Sequence, residues 1–190
     1  LSLHGSYFIN LCGKKEVVEA SIRRLIACVT AANWMNAYVV VFHPGFYGKR
    51  AHKEVFSHCL RTLKSVVEAM DELGIKNVKI GPETMGKHSQ LGNLDEVLDL
   101  CEAVEQTRPV IDWAHLHARN AEHLKTVDDF RRVVEKVERR LGTEAARDLH
   151  CHFTKVEFTD KGERRHHILN ETEYGPDFEK LAKVIAEFRL

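Results

Sequence analysis

The sequence predicts an α/β fold with a mainly parallel sheet and helices outside it, and three observations carry that prediction. Apolar residues recur at steps of three and four in five segments, short apolar runs lie between those segments, and cap or turn residues mark several junctions. The first run, LSLHGSYF, reads as a strand ending at His4. Val17, Ile22, Leu25, Ile26 and Val29 then form the stripe of a first helix. In YVVVFHPG, three valines and a phenylalanine read as a strand buried on both faces, and it stops at His43 before a proline and a glycine. A second helix carries Val55, Cys59, Leu60, Leu63, Val66, Val67 and Met70 and is closed by Gly74.

The run VKIGPETMG brings Glu83 to the end of a third strand. Asn93 precedes the next helix (Leu94, Val97, Leu98, Cys101, Val104), and Asp95 and Glu96 suit its positive end. PVIDWAHLHA holds Asp112 and His115, which, three residues apart, cannot face the same way in an ideal strand. The strand is therefore expected to end near Asp112, with His115 in the loop beyond. A helix with Phe130, Val133, Val134, Val137 and Leu141 closes at Gly142, DLHCHFTKVEF reads as the fifth strand, and Phe178, Leu181, Val184, Ile185 and Phe188 mark the last helix. With no repeat, low-complexity tract or linker, residues 1–190 read as a single domain.

Composition narrows the function. With 44% apolar and 29% charged residues, the chain can bury a real core. Its 28 bases balance 28 acids, so no global positive field advertises nucleic acid and any phosphate binding has to be local. No apolar run approaches the roughly 18 residues of a membrane span and no leader is visible, so a cytoplasmic protein is expected. The five cysteines are scattered and odd in number, which favours reduced thiols.

The 12 histidines carry the chemistry. His4 and His43 fall at strand ends, Glu83 follows a third strand, Asp112 and His115 a fourth, and His150 and His152 alternate in the fifth. Parallel strands put their C-terminal ends on one edge, where barrels and open sheets alike build their sites. Imidazoles and carboxylates converging there form a ligand set for zinc, manganese or a similar divalent ion, and the lack of thiolates fits a catalytic metal. A lone strand-end histidine is more often a hydrogen-bonded loop residue, so it is the repetition over five strands that counts. One of His166 and His167 in GERRHH joins the set, whereas His117 and His150 read as lying outside it and His52, His58, His88 and His123 as surface. Lys49, Arg50, Lys87 and Arg119 flank the same edge, either as solvated loop charges or as phosphate contacts. Phe46 and Tyr47 in GFYG could stack on bases or cover the neighbouring helix.

HGSYFINL, VVVFHPG, GPETMGKHSQLG, IDWAHLHAR and LHCHF, in that order and over nearly the whole chain, resemble the endonuclease IV family within the xylose isomerase-like TIM barrel superfamily. The resemblance implies a (β/α)8 barrel with up to three zinc ions, manganese being the alternative, that cuts double-stranded DNA 5′ to abasic sites in base excision repair and works as a monomer. It makes His4, His43 and Glu83 ligands of a first ion. Glu83 bridges to a second ion held by Asp112 and His152, and His115 and His166 serve a third. Glu83 and Asp112 are then the catalytic carboxylates.

Two departures matter. The family's third ion takes an Asp two residues before its last histidine, where this chain has Arg164, with Glu163 adjacent as a possible substitute. The family's last strand also delivers a glutamate to the second ion, but the helix DFEKLAKVIAEFRL is followed by no strand here. A full barrel takes about 250 residues, so an incomplete TIM-type barrel of about five of the eight units is expected, either an excerpt of a longer barrel or a fragment whose edges are covered by something else. Competing readings are a sugar isomerase or epimerase on the same barrel, with one metal and no use for basic residues, and a non-catalytic DNA-binding relative.

Overall fold

The computed structural model describes residues 1–120 and 124–190, so His123 lies outside the described residues. These residues form two compact units.

The first unit comprises Leu1–Glu83 and Ser89–Pro109. It contains β1 (Ser2–His4), α1 (Lys15–Trp34), β2 (Val39–Phe42), β3 (Gly45–Phe46), α2 (His52–Glu72), β4 (Lys79–Pro82), β5 (Gln90–Leu91) and α3 (Leu94–Ala103). Strands β1, β2 and β4 form a parallel sheet with β2 in the middle, pairing His4 with Val41 and Phe42 with Pro82. All four residues of β2 are buried, as its unbroken apolar run requires. Helix α2 buries Val55, Cys59, Thr62, Leu63, Val66 and Met70, and each fully buried apolar side chain contributes roughly 1.5–3 kcal/mol.

On α1 the buried face differs from the expected stripe. It runs through Val18, Ser21, Leu25, Val29 and Ala32, and Val17 is exposed. Ser21 is there for its hydroxyl, which donates to the Val17 carbonyl and accepts the Asn10 amide at 2.9 Å, tying the β1–α1 loop to the helix. Helix α3 starts with a full capping box: Asn93 accepts the Glu96 amide and Glu96 accepts the Asn93 amide. Helix α2 ends at Glu72 and is followed, after Leu73, by Gly74 with φ 69°, a conformation glycine adopts without strain.

The second unit comprises Thr84–His88 and Val110–Leu190. It holds β6 (Val110–Asp112), α4 (Trp113–Arg119), α5 (Val127–Leu141), α6 (Thr143–Arg147), β7 (His150–His152), β8 (Lys155–Thr159), β9 (Gly162–His167) and α7 (Phe178–Phe188). Strands β6 and β7 are parallel, and β8 and β9 form an antiparallel hairpin. Trp113 and Phe130, both fully buried, meet at 5.4 Å between ring centroids. Arg131 of α5 grips Glu187 of α7 through Nε and a terminal nitrogen.

Two expectations are corrected here. Asp112 does end its strand, but His115 lies in the first turn of a helix, not in a loop. The run DLHCHFTKVEF is two strands, β7 and β8, broken at Phe153 and Thr154. The pairing is mainly parallel as expected, in the β1-β2-β4 and β6-β7 sheets, with β3-β5 and β8-β9 added as antiparallel pairs. Among the described residues the strands fall into four sheets, none of which closes on itself. An incomplete barrel is the matching expectation.

Candidate metal centre

In the first unit the parallel sheet delivers three donors to its C-terminal edge. His4 is the last residue of β1, His43 follows β2 and Glu83 follows β4. Glu83 is held there by its amide, which donates to the Phe42 carbonyl at 3.0 Å. Its Oε2 lies 3.2 Å from His4 Nε2 and 2.9 Å from His43 Nε2. The imidazole rings of His4 and His43 meet edge to face at 5.1 Å.

The tautomer of His4 follows from its neighbour. Nδ1 lies 2.8 Å from the Gly5 carbonyl oxygen, which can only accept, so Nδ1 carries the proton. In the neutral ring Nε2 is then a lone pair aimed at a carboxylate oxygen. Either a second ring proton or a cation satisfies both atoms at that distance, and Glu83, 1% exposed, has little water to supply compensation. The donors therefore fit a divalent cation, with the carbonyl partner of Nδ1 setting the ring as it does for metal-bound histidines.

A second cluster stands in the second unit. His115 Nδ1 lies 2.7 Å from the Thr84 carbonyl oxygen, which again leaves the Nε2 lone pair outward. That Nε2 is 3.2 Å from His166 Nε2 and 3.4 Å from Glu163 Oε2. His115, Glu163 and His166 can all offer a ligand atom to one point. In the same unit, Asp112 and His152 are register partners across β6 and β7. Asp112 Oδ1 accepts the His115 amide at 2.8 Å as the N-cap of α4.

The remaining expected residues sort as follows. His117 is buried, packs edge-on against Phe158 and sits so close to Gly175 that a Cβ there would lie 2.6 Å from its Nε2. His150 meets His152 edge to face at 5.2 Å. His167 stacks on Tyr174 and its Nδ1 meets Glu171 at 2.8 Å. Of the GFYG aromatics, Phe46 is exposed, but Tyr47 is buried, donates to Glu96 at 2.7 Å and stacks on His52. Arg50 donates to the Cys12 carbonyl and Arg119 to the Met85 and Lys87 carbonyls, so both arginines fasten loops, whereas Lys49 and Lys87 are exposed.

One residue escaped the sequence reading. Tyr7, 76% exposed, stacks on His4 and meets His43 edge-on at 5.2 Å. Its signal was its place three residues after His4 in HGSYF. Glu163 is named in the sequence only as a possible substitute for the family's third-ion acid, because no local pattern says whether it or Arg164 faces His166.

All 190 residues match the family model described as xylose isomerase-like TIM barrel. The chain belongs to the xylose isomerase-like TIM barrel family. An uncharacterized protein of Methanocaldococcus jannaschii is 35% identical over 188 residues, covering 98% of this chain and 67% of that relative. The probable endonuclease 4 of Mycoplasma pneumoniae is 26% identical over 191 residues, covering 97% of this chain and 63% of that protein. Among solved structures, endonuclease IV from Thermus thermophilus superposes with a TM-score of 0.70 at 21% identity, covering 97% of this chain and 63% of its own. A D-tagatose 3-epimerase-like protein also gives 0.70, at 18% identity, covering 99% of this chain and 66% of its own. These structural likenesses establish a fold. The chain thus carries a partial xylose isomerase-like barrel, spanning about two thirds of the relatives it matches, and its expected likeness to endonuclease IV is borne out.

Proposed function

We propose that this chain is the metal-binding part of an endonuclease IV-like phosphodiesterase that nicks double-stranded DNA 5′ to abasic sites in base excision repair. The observation that carries this reading is the pair of histidine and carboxylate clusters, His4–His43–Glu83 and His115–Glu163–His166. Zinc, with manganese as the alternative, is the cofactor they fit. Bound divalent ions supply a water of lowered pKa, near 7, and neutralise charge on the phosphate oxygens.

The chain's own residues do the rest. Gly5 and Thr84 hold His4 and His115 in the tautomer that offers Nε2 to an ion. Glu83 and Asp112 are the catalytic carboxylates, and His152, the register partner of Asp112, is a further ligand. Lys49 and Lys87 offer exposed ammonium groups for phosphates. Tyr7 and Phe8, 76% and 78% exposed, offer faces on which bases can stack. The enzyme works as a cytoplasmic monomer of one domain in this reading. Its test is nicking of a duplex containing one abasic site: metal-dependent cleavage by the chain, abolished in Glu83→Gln, is expected, and undiminished cleavage by that variant refutes it.

A second reading, epimerisation of a ketose, is favoured by the equal TM-score to the epimerase-like protein. Turnover of a ketose with one metal per chain, and no nicking, would favour it.

A further inference from the structure

The strand that carries Glu163 is irregular in a way that bears on the second cluster. Residues three apart in a regular strand point to opposite faces, so Glu163 and His166 should diverge. They do not: Glu163 Oε1 lies 3.6 Å from His166 Nε2. The hairpin register explains it. Glu157 pairs with Arg165 and Phe158 with Glu163, so two consecutive residues on β8 face residues two apart on β9, and Arg164 is the extra one. Such a bulge breaks the alternation and re-aims the neighbouring side chain.

We propose that Glu163, turned toward His115 and His166 by the bulge at Arg164, is the carboxylate ligand of a cation site complete within the second unit. The inference rests on the reading that these histidine clusters hold divalent ions, though not on the reaction they serve. The family resemblance expects an acid two residues before the last histidine, and Arg164 occupies that position. The bulge gives back, one residue earlier, what the arginine takes away. Arg164 itself points elsewhere and is no electrostatic obstacle, since it is exposed and donates to Glu157 at 2.6 Å.

The backbone around the cluster is shaped for this approach. The Glu163 amide donates to the Gly86 carbonyl at 3.1 Å. A Cβ on Gly86 would stand 2.7 Å from Glu163 Cβ and 3.2 Å from His115 Cδ2, and one on Gly162, which has φ 93°, would stand 2.1 Å from the Gly86 oxygen. Both positions therefore need glycine for the loop and strand to meet. Thr154 Oγ1 lies 2.6 Å from His166 Nδ1, orienting the ring from behind. The His115 and Glu163 side chains are 6% and 14% exposed and that of His166 is 37%, so the site is closed on two sides and open on the third. Two imidazoles, one carboxylate and an open side form the donor set of a borderline divalent ion such as zinc or cobalt with a position left for water or substrate.

The test uses Co2+ alone, followed by its visible absorption, on the 190-residue chain with His4→Ala, His43→Ala and His152→Ala introduced to silence the other proposed ligand sets. One ion is expected to bind. Adding Glu163→Gln should weaken it at least about 100-fold, the upper end of what outer partners reach, while adding Arg164→Ala should leave the affinity within about threefold. Deleting Arg164 places Glu163 two residues before the histidine, where a regular strand aligns them, and should also retain the ion. Affinity unchanged by Glu163→Gln, or lost equally in Arg164→Ala, overturns the assignment. Loss on deletion in a chain still folded by circular dichroism overturns the role of the bulge. Cobalt binding without any nicking defeats the endonuclease reading and leaves this one standing, whereas nicking with no ion at this cluster does the reverse.

Discussion

Replacing Glu83 by Gln is the sharpest probe of the first cluster, because the change keeps shape and removes charge. The carboxylate is 1% exposed and its Oε2 sits 3.2 and 2.9 Å from two imidazole nitrogens. Without metal, a glutamine amide can donate to one of those nitrogens, so the variant should melt no earlier than the parent. With zinc the order changes. At a concentration about 100 times Kd, binding to the folded state stabilises the parent by about 2.7 kcal/mol. A direct ligand is worth at least the roughly 100-fold in affinity that outer partners can reach, so at the same zinc concentration the variant gains only RT ln 2, about 0.4 kcal/mol. The difference, about 2.3 kcal/mol, corresponds to a smaller zinc-induced rise in Tm by about 5–9 °C for a chain of this size. Scanning calorimetry of both proteins, with zinc and with EDTA, reads it directly. Zinc captured by unfolded histidines and cysteines lowers both gains alike and cancels in the comparison. Equal zinc-induced shifts in the two proteins would show that Glu83 holds no ion.

Asn93→Ala should cost about 1 kcal/mol by removing the α3 capping box, a fall of about 2–4 °C in Tm that a thermal melt detects. For Asp129, burial pushes the carboxyl up, but hydrogen bonds from Thr126 and the Lys125 amide, together with the Arg132 charge, outweigh it and hold the group below its ordinary 3.8. A depressed folded value means stability that is full above 3.8 and lost as pH falls through the folded value. Asp129→Asn should therefore differ from the parent at pH 6 and converge with it in strong acid, as followed by melts across that range. Burial pushes the Cys101 thiol up to about 12, and Cys12 and Cys59 are fully buried. Alkylation at pH 8, mapped by mass spectrometry, should thus label the exposed Cys151 first.

Local chemistry was legible in the sequence wherever the relevant information lies within a few residues. The 3.6 period marked α1, α2, α3, α5 and α7, the Asn93 cap marked the start of α3, and the valine run marked β2 as buried on both faces. Helix α4 was missed because all its residues from Trp113 to Ala118 are buried, leaving no polar face to set a period. The GFYG aromatics could not be told apart, since the hydroxyl partner of Tyr47 is Glu96, 49 residues away. Arg50 and Arg119 likewise spend their donors on distant carbonyls that no window contains.

The order of strand-end histidines and carboxylates, the alternation of elements and the family likeness were determined by the sequence alone. Tertiary structure decided which donors meet. His4 and Glu83 are 79 residues apart and become neighbours only because parallel strands share a C-terminal edge. Glu163 faces His166 only because the hairpin register carries one extra residue. Side-chain direction in a strand depends on pairing, and pairing is a property of two segments that neither encodes by itself.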